Sequence, residues 1–217
     1  TSFEETTKYF PQDKAVAIGS PIRKEILTGS AENGKRYLDF HSGKPILTVM
    51  GGSLGAKKIN EAVRANLDAL TTHYQIVHLC AKNSRDPQLE TRSGYRRFEY
   101  VHEELADILA ATDLVITRGG SNSIFEFLAL EIPMLIIPLG LNQSRGDQIL
   151  NAKSFTEKGY AITLQDEDVT KESLLEHVKL LQEKRDEIKS SMAKANQRRT
   201  SALSTLTDEI KNVLNNS

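Results

Sequence analysis

The sequence of 217 residues lacks several features that would place it in particular classes of protein. Its one cysteine, Cys80, excludes an intramolecular disulfide and any zinc site built from several cysteines. Acidic and basic side chains nearly cancel, 29 against 28, so the basic excess of a nucleic-acid-binding protein is missing. No apolar run approaches the roughly 18 residues of a membrane span. The longest such stretch, Pro133–Leu139, has the length of a buried strand.

Short apolar runs alternate with amphipathic helical patterns over residues 14–164. Several runs are continuously apolar, which is typical of parallel strands covered on both faces. The predicted strands are Lys14–Ile18, Pro45–Met50, Gln75–Cys80, Arg97–Val101, Asp113–Thr117, Pro133–Pro138 and Tyr160–Thr163. The alternation predicts an α/β fold, a Rossmann-like doubly wound parallel sheet in one domain.

Helices are predicted between these strands and after them. The predicted helices inside the alternating part are Ala56–Leu70, Glu103–Ala111, Asn122–Leu130 and Asp147–Lys158. Residues 170–216 show only helical patterns and form a helical C-terminal tail, in which Glu183–Arg199 is expected to be a solvated surface helix.

The stretch Gly51–Ala56, Gly-Gly-Ser-Leu-Gly-Ala, lies between a predicted strand and an amphipathic helix. Glycines at that position let the backbone approach a ligand closely, and the helix start attracts an anion. The spacing matches neither a P-loop nor the dinucleotide pattern GxGxxG. A tight turn with no ligand is the alternative interpretation.

A second turn of this kind occurs in Arg118–Glu126, which also follows a strand and opens a helix. Both turns belong to the carboxyl edge of the sheet, where doubly wound folds bind ligands. Glu126, one turn into the helix, suits two vicinal hydroxyls such as those of a ribose. The alternative is a capping box in which Glu126 only returns to the backbone N–H of Ser123.

Two further loops carry weaker signals. Leu139–Gln148 is polar and could bind sugar hydroxyls, although loop composition alone explains it. Arg23, in Gly19–Arg23, could pair with a diphosphate or be an ordinary surface charge. Asp166–Asp168 has an Asp-x-Asp form, but it precedes a helix, where acids favour the dipole, so no metal is predicted there. The histidines have no metal-binding spacing, and no G-x-S-x-G motif marks a serine hydrolase.

Five motifs occur in the order found in one family, and together they carry a resemblance. They are Gly19–Arg23, Gly51–Ala56, Tyr100–Leu105, Arg118–Glu126 and Asp147–Ala152. Over about residues 14 to 162 the chain resembles the C-terminal half of the bacterial MurG-type transferases. The resemblance implies a GT-B glycosyltransferase whose donor-binding domain occupies residues 1–217 here, with the N-terminal acceptor domain absent from the chain.

The activity implied by this resemblance is a step of peptidoglycan synthesis. The family moves N-acetylglucosamine from UDP-GlcNAc to undecaprenyl-pyrophosphoryl-MurNAc-pentapeptide, converting lipid I to lipid II by metal-free inverting transfer. We therefore expect a cytoplasmic enzyme that is peripheral on the inner face of the cell membrane, with no cofactor and no nucleic-acid partner. Lipid I would be bound through the missing domain, no catalytic base can be assigned, and the chain alone should be inactive.

The resemblance also implies where the donor diphosphate would lie. Arg23 would contact the diphosphate, and Gly52 and Ser53 would face the phosphates. Backbone amides at the start of the second helix would bind phosphate and sugar; they belong to Ser121, Asn122 and Ser123.

The remaining implied contacts are with the nucleoside and the sugar. Val101 or His102 would meet uracil through backbone atoms, and Glu126 would accept the ribose hydroxyls. Gln148 would accept GlcNAc hydroxyls, with Asp147 beside it at the same loop.

Three alternatives remain at this point. A UDP-sugar:diacylglycerol glycosyltransferase would have a similar donor domain. A non-catalytic nucleotide-sugar-binding subunit that needs a membrane partner would also fit. An NAD-dependent oxidoreductase is disfavoured because GxGxxG is missing.

Overall fold

The fold is built on a sheet of parallel strands. The computed structural model describes residues 1–11, 14–52, 56–80, 89, 92–198 and 202–215. The strands are β1 Ile46–Met50, β2 Gln75–Leu79, β3 Tyr95–Phe98, β4 Leu114–Thr117, β5 Met134–Ile136 and β6 Ala161–Thr163. Among the described residues they form one six-stranded sheet in the order β3-β2-β1-β4-β5-β6, with every neighbouring pair parallel. The predicted Rossmann-like, doubly wound class is confirmed.

Helices cover both faces of this sheet. The α-helices are α1 Ala31–Tyr37, α2 Lys57–Ala65, α3 Leu67–His73, α4 Leu105–Ala111, α5 Ser121–Ala129, α6 Asp147–Glu157, α7 Lys171–Glu183, α8 Arg185–Arg198 and α9 Ala202–Asn215. Short 3-10 helices occur at Glu4–Tyr9, Lys24–Thr28 and Asp166–Asp168. None of the helices in the described ranges combines the length and apolar character that a bilayer span requires.

Continuous apolar sequence in the central strands follows from burial on both sides. Leu47 and Thr48 of β1 have no exposed surface, and neither do Val115 and Ile116 of β4. Successive strand residues point to opposite faces, so both faces of these strands must be packed. The sequence pattern therefore identified the centre of the sheet correctly.

The helical tail is confirmed as α7, α8 and α9. Helix α8 lies on the surface as expected, but Ile188 and Met192 are buried and anchor it to the core. Helix α9 instead leaves Leu206, Ile210 and Leu214 exposed.

The predicted strand Lys14–Ile18 is wrong, because this segment does not join the sheet. It runs beside the N-terminus, where the Thr1 ammonium donates to the Val16 carbonyl at 2.7 Å and the Ile18 amide donates to the Thr1 carbonyl at 2.9 Å. Val16 is 49% exposed. An apolar run with one open face is enough for extended backbone but not for a central strand.

Two other boundaries needed correction. The predicted helix Ala56–Leu70 is divided at Asn66, whose side-chain amide donates to the carbonyl of Ala62 at 3.0 Å and to that of Lys171 at 2.6 Å. The strand predicted at Arg97–Val101 starts earlier, at Tyr95, because this buried residue pairs through its backbone with Ile76 of β2. Residues 99–101 leave the sheet at its carboxyl edge.

Candidate functional site

The order of the strands reverses between β1 and β4, and the two predicted glycine turns leave the sheet there. Gly51 and Gly52 follow β1, and Gly119 and Gly120 follow β4. The connections on either side of such a switch point diverge, which opens a crevice at the carboxyl ends of the strands. The structure thus brings together two motifs that lie 68 residues apart, from 51 to 119.

The first turn needs glycine for two separate reasons. A side chain at Gly51 would place its Cβ 2.2 Å from the Cβ of Ala56, and Gly52 has a φ of +75°. The first is a steric exclusion, and the second is the left-handed backbone that other residues adopt only with strain. Ser53, predicted to face the phosphates, lies outside the described residues.

The second turn leads directly into α5, which begins at Ser121 with no side-chain cap on its N-terminus. The first amide groups of a helix have no partner within it, so those of Ser121, Asn122 and Ser123 are suited to an anion. The alternative interpretation, a capping box from Ser123 to Glu126, is wrong, because the helix begins two residues before Ser123. The Asn122 side-chain oxygen accepts from the buried Ser20 hydroxyl at 3.1 Å.

Glu126 lies in the second turn of α5 and is bound to Arg23. The Arg23 Nε donates to Oε1 at 2.6 Å, and Nη2 donates to Oε2 at 2.9 Å. The Glu126 side chain is 7% exposed and that of Arg23 is 58% exposed. The hydrogen bond to Glu126 raises the pKa of the Arg23 guanidinium above its ordinary value. Both residues are predicted site residues, but the sequence does not indicate that they bind each other.

A cleft of about 910 Å³ opens beside this pair. It is lined by Arg23, Glu25, Ile26 and residues 100–106. Val101 is nearly buried, whereas the ring of Tyr100 is exposed and its centroid lies 4.2 Å from that of His102. The predicted uracil-binding residues Val101 and His102 therefore share a cleft with Arg23. Tyr100 and Glu25 also line the cleft but are not among the predicted site residues, although Tyr100 directly precedes Val101 and His102 in sequence.

Helix α6 holds the second glycine turn in place. The Gln148 side-chain oxygen accepts from the amides of Gly119, at 3.3 Å, and Leu139, at 3.1 Å. The Asn151 side chain donates to the Gly119 carbonyl at 2.9 Å. A Cβ on Gly119 would lie 2.6 Å from the Gln148 carbonyl oxygen, so only glycine permits this approach. Asp147, the first residue of α6, is exposed at the same edge.

Behind the second turn lies a buried ion pair. The Arg118 Nη1 donates to Asp166 Oδ1 at 2.5 Å and to the Ile137 carbonyl at 3.0 Å. The expectation that Asp166 only favours the dipole of the following helix is wrong, because its carboxylate accepts from Arg118. The cap of α7 is Thr170, whose hydroxyl accepts from the Ser173 amide at 3.0 Å. In the part of the chain that is described, no group of three or more His, Cys, Asp or Glu side chains could hold a metal ion.

Comparison with known proteins identifies what this architecture is similar to. The sequence pattern of the glycosyltransferase family 28 C-terminal domain matches residues 46–208. A Bacillus cereus protein named UDP-N-acetylglucosamine--N-acetylmuramyl-(pentapeptide) pyrophosphoryl-undecaprenol N-acetylglucosamine transferase 2 is 54% identical over 195 residues, which are 90% of this chain and 55% of that protein. A Staphylococcus aureus transferase, whose name differs only in lacking the final numeral, is 50% identical over 192 residues, 88% of this chain and 54% of that protein. The chain thus spans about half the length of the curated relatives it matches.

Solved structures agree on the fold. The crystal structure of Acinetobacter baumannii MurG has a TM-score of 0.66 and 22% identity, and the match covers 92% of this chain and 58% of that one. The calicheamicin glycosyltransferase CalG4 also has a TM-score of 0.66, at 14% identity, covering 96% of this chain and 49% of that one. At these identities the likeness concerns the fold alone.

Proposed function

Because the chain belongs to the family of glycosyltransferase family 28 C-terminal domains, we propose that it is the donor-binding domain of a UDP-N-acetylglucosamine-dependent transferase. In the complete protein this transferase would convert lipid I to lipid II during peptidoglycan synthesis. The relatives' names support the choice of sugar and acceptor, since each is called an N-acetylglucosamine transferase acting on a pyrophosphoryl-undecaprenol compound.

The observation that carries the proposal is the order of groups along α5. The uncapped helix start offers backbone amides to a diphosphate, and Glu126 lies five residues further along the same helix. At 1.5 Å per residue this separation is about 7.5 Å along the axis. The cleft that contains Val101 and His102 is also lined by Arg23, which binds Glu126. Diphosphate, ribose and base would therefore occupy successive positions.

This arrangement supplies stabilisation of the leaving group. When the acceptor hydroxyl attacks the anomeric carbon, the bond to the diphosphate breaks and the departing UDP gains negative charge. Preoriented amides at the start of α5 would stabilise that charge without reorganisation, and the helix dipole has the favourable sign. Gln148 and Asp147, at the start of α6, would lie near the sugar.

We assign the acceptor site and the catalytic base to the rest of the transferase, because the chain spans about half the length of its relatives. Transfer requires that both substrates be held together in reacting geometry. We therefore expect the 217-residue chain to bind the donor but to have no transferase activity by itself. In the complete protein the site would operate at the cytoplasmic face of the membrane, where a lipid-linked acceptor is accessible.

Calorimetric titration of the chain with UDP-GlcNAc, UDP-glucose, UDP and NAD tests the proposal. We expect binding of UDP and UDP-GlcNAc and none of NAD. Tighter binding of UDP-glucose than of UDP-GlcNAc would favour a glucosyl donor and a different acceptor class. If the folded chain did not bind UDP, the proposed donor-binding role would be contradicted. If the chain alone converted lipid I, the expected lack of transferase activity would be contradicted.

A further inference from the structure

The proposed function gives no role to the hydrogen bonds between Arg23 and Glu126. The pair joins Arg23, directly before the 3-10 helix Lys24–Thr28, to a carboxylate 103 residues later in the sequence. Both contacts are short and parallel, the bidentate geometry in which a guanidinium fixes the orientation of a carboxylate. The arginine side chain is mostly exposed and the carboxylate is nearly buried. Arg23 therefore lines the cleft, and the nearly buried Glu126 carboxylate holds its guanidinium in place.

The position of the pair along α5 separates Arg23 from the diphosphate. Its guanidinium is held at residue 126, whereas the uncapped amides are at residues 121–123. The guanidinium also lines the same cleft as Val101 and His102. In this arrangement Arg23 lies at the nucleoside end of the site.

Counting donors and acceptors shows that the pair need not break when a ribose binds. A carboxylate has about four acceptor positions, and Arg23 uses two of them. The other two are sufficient for a pair of vicinal hydroxyls. If Arg23 left for the diphosphate, the nearly buried Glu126 carboxylate would lose its cationic partner, and ribose hydroxyls carry no charge to replace it. Retaining the pair avoids that loss.

We propose that Arg23 is a positioning residue that acts through Glu126 at the nucleoside end of the site, and that it is not a ligand of the diphosphate. This inference rests on the proposed function, because it assigns Glu126 to the ribose. It replaces the role in diphosphate binding that the family resemblance implies for Arg23. The guanidinium orients the carboxylate so that both oxygens face the two hydroxyls together.

The test compares Arg23→Met with the unmodified chain for UDP, uridine and 2′,3′-dideoxy-UDP. A positioning role predicts that UDP and uridine lose affinity by the same factor, about ten- to a hundredfold. Dideoxy-UDP should lose little, because it lacks the hydroxyls that Glu126 would accept. The double variant Arg23→Met/Glu126→Gln should bind UDP no more weakly than Glu126→Gln alone. A loss seen with UDP but not with uridine would make Arg23 a diphosphate ligand and overturn the inference.

Two further variants keep the result interpretable. Arg92→Met removes another arginine–carboxylate pair, with Asp68, before β3, and should leave all three affinities unchanged. Arg23→Lys keeps the charge but not the fork, so it should lie between the unmodified chain and Arg23→Met. Thermal unfolding of each variant confirms that it is folded. If the unmodified chain bound UDP and Arg23→Met altered no affinity, the positioning role would be wrong while the proposed function stood; if the unmodified chain did not bind UDP, both would fail.

Discussion

Two arginine–carboxylate pairs lie close to the start of α5, and their exposure separates their roles. In the pair of Arg118 and Asp166 both side chains are buried, 6% and 8% exposed, whereas in the pair of Arg23 and Glu126 the arginine is 58% exposed. The buried pair connects β4 to the segment after β6 and also holds the Ile137 carbonyl. In the other pair, the exposed Arg23 side chain lines the cleft. The same type of ion pair thus stabilises the interior in one place, as a brace between two segments. In the other place its arginine is accessible to a ligand.

The largest expected effect concerns the stability of the buried pair. Arg118→Met would leave the Asp166 carboxylate buried without its ionic partner, which costs about 3–5 kcal/mol of unfolding free energy. Arg23→Met also removes the partner of a nearly buried carboxylate, but it should cost less, about 1–2 kcal/mol, because water in the cleft can replace the exposed guanidinium. Urea denaturation of both variants measures the difference.

A double variant sharpens this result. Arg118→Met/Asp166→Leu removes both charges, so it should be more stable than Arg118→Met alone. Equal losses for Arg118→Met and Arg23→Met would contradict the distinction between brace and ligand-facing pair.

The buried hydrogen-bond network around His78 is uncharged, in contrast to the two ion pairs. Protonation of this histidine should make the stability of the fold depend on pH. His78 has no exposed surface and lies between the Tyr95 hydroxyl, 3.0 Å from Nδ1, and the Asn60 side-chain oxygen, 2.9 Å from Nε2. The amide oxygen can only accept, so Nε2 carries the proton and Nδ1 accepts from Tyr95. Burial lowers the pKa of His78 to about 3, with Arg64 and Arg97 nearby adding to the effect. The folded protein therefore keeps this histidine neutral.

The sign of the pH effect follows from that lowered pKa. Below about pH 6.5 the unfolded chain binds a proton at His78 that the folded chain excludes, so stability falls as the pH decreases toward 3. The slope should approach about 1.4 kcal/mol per pH unit. His78→Gln should flatten the slope between pH 6.5 and 5, whereas His73→Gln, at an exposed position, should not. A slope unchanged by His78→Gln would show that another group titrates.

The smallest expected effect is the response to metal removal. The Asp166 carboxylate, first acid of the Asp-x-Asp sequence, is already committed to Arg118. We therefore expect that UDP affinity is the same in EDTA and in Mn²⁺. Loss of binding in EDTA with recovery in Mn²⁺ would mean that the buried pair opens to form a metal site.

Local patterns predicted the parts of the fold that depend on local burial. Continuous apolar runs marked β1, β4 and β5 because these strands are covered on both faces. The glycine turns were recognisable because neighbouring atoms leave no room for a Cβ at positions such as Gly51 and Gly119. The same reasoning failed for Lys14–Ile18, where an apolar run lies at the surface.

The contacts that define the candidate site could not be predicted in this way, because their partners are distant in sequence. Glu126 binds an arginine 103 residues earlier, and Asp166 binds one 48 residues earlier. Asn66 ends a helix partly by donating to the carbonyl of Lys171, 105 residues later. Periodicity identifies which residues are buried or polar, but the folded topology decides which of them meet.

The central claim, that Glu126 is the ribose contact of a nucleotide site, is tested most directly by titrating Glu126→Gln and the unmodified chain with UDP and 2′,3′-dideoxy-UDP. Glutamine keeps the size of the side chain but turns one acceptor oxygen into a donor. We predict a loss of about 1.5–3 kcal/mol in UDP binding, or roughly one to two decades in affinity, and loss of most of the preference for UDP over the dideoxy compound. Unchanged UDP affinity with unchanged discrimination, in a variant that unfolds at the same temperature, would contradict the claim and leave Glu126 as a structural partner of Arg23.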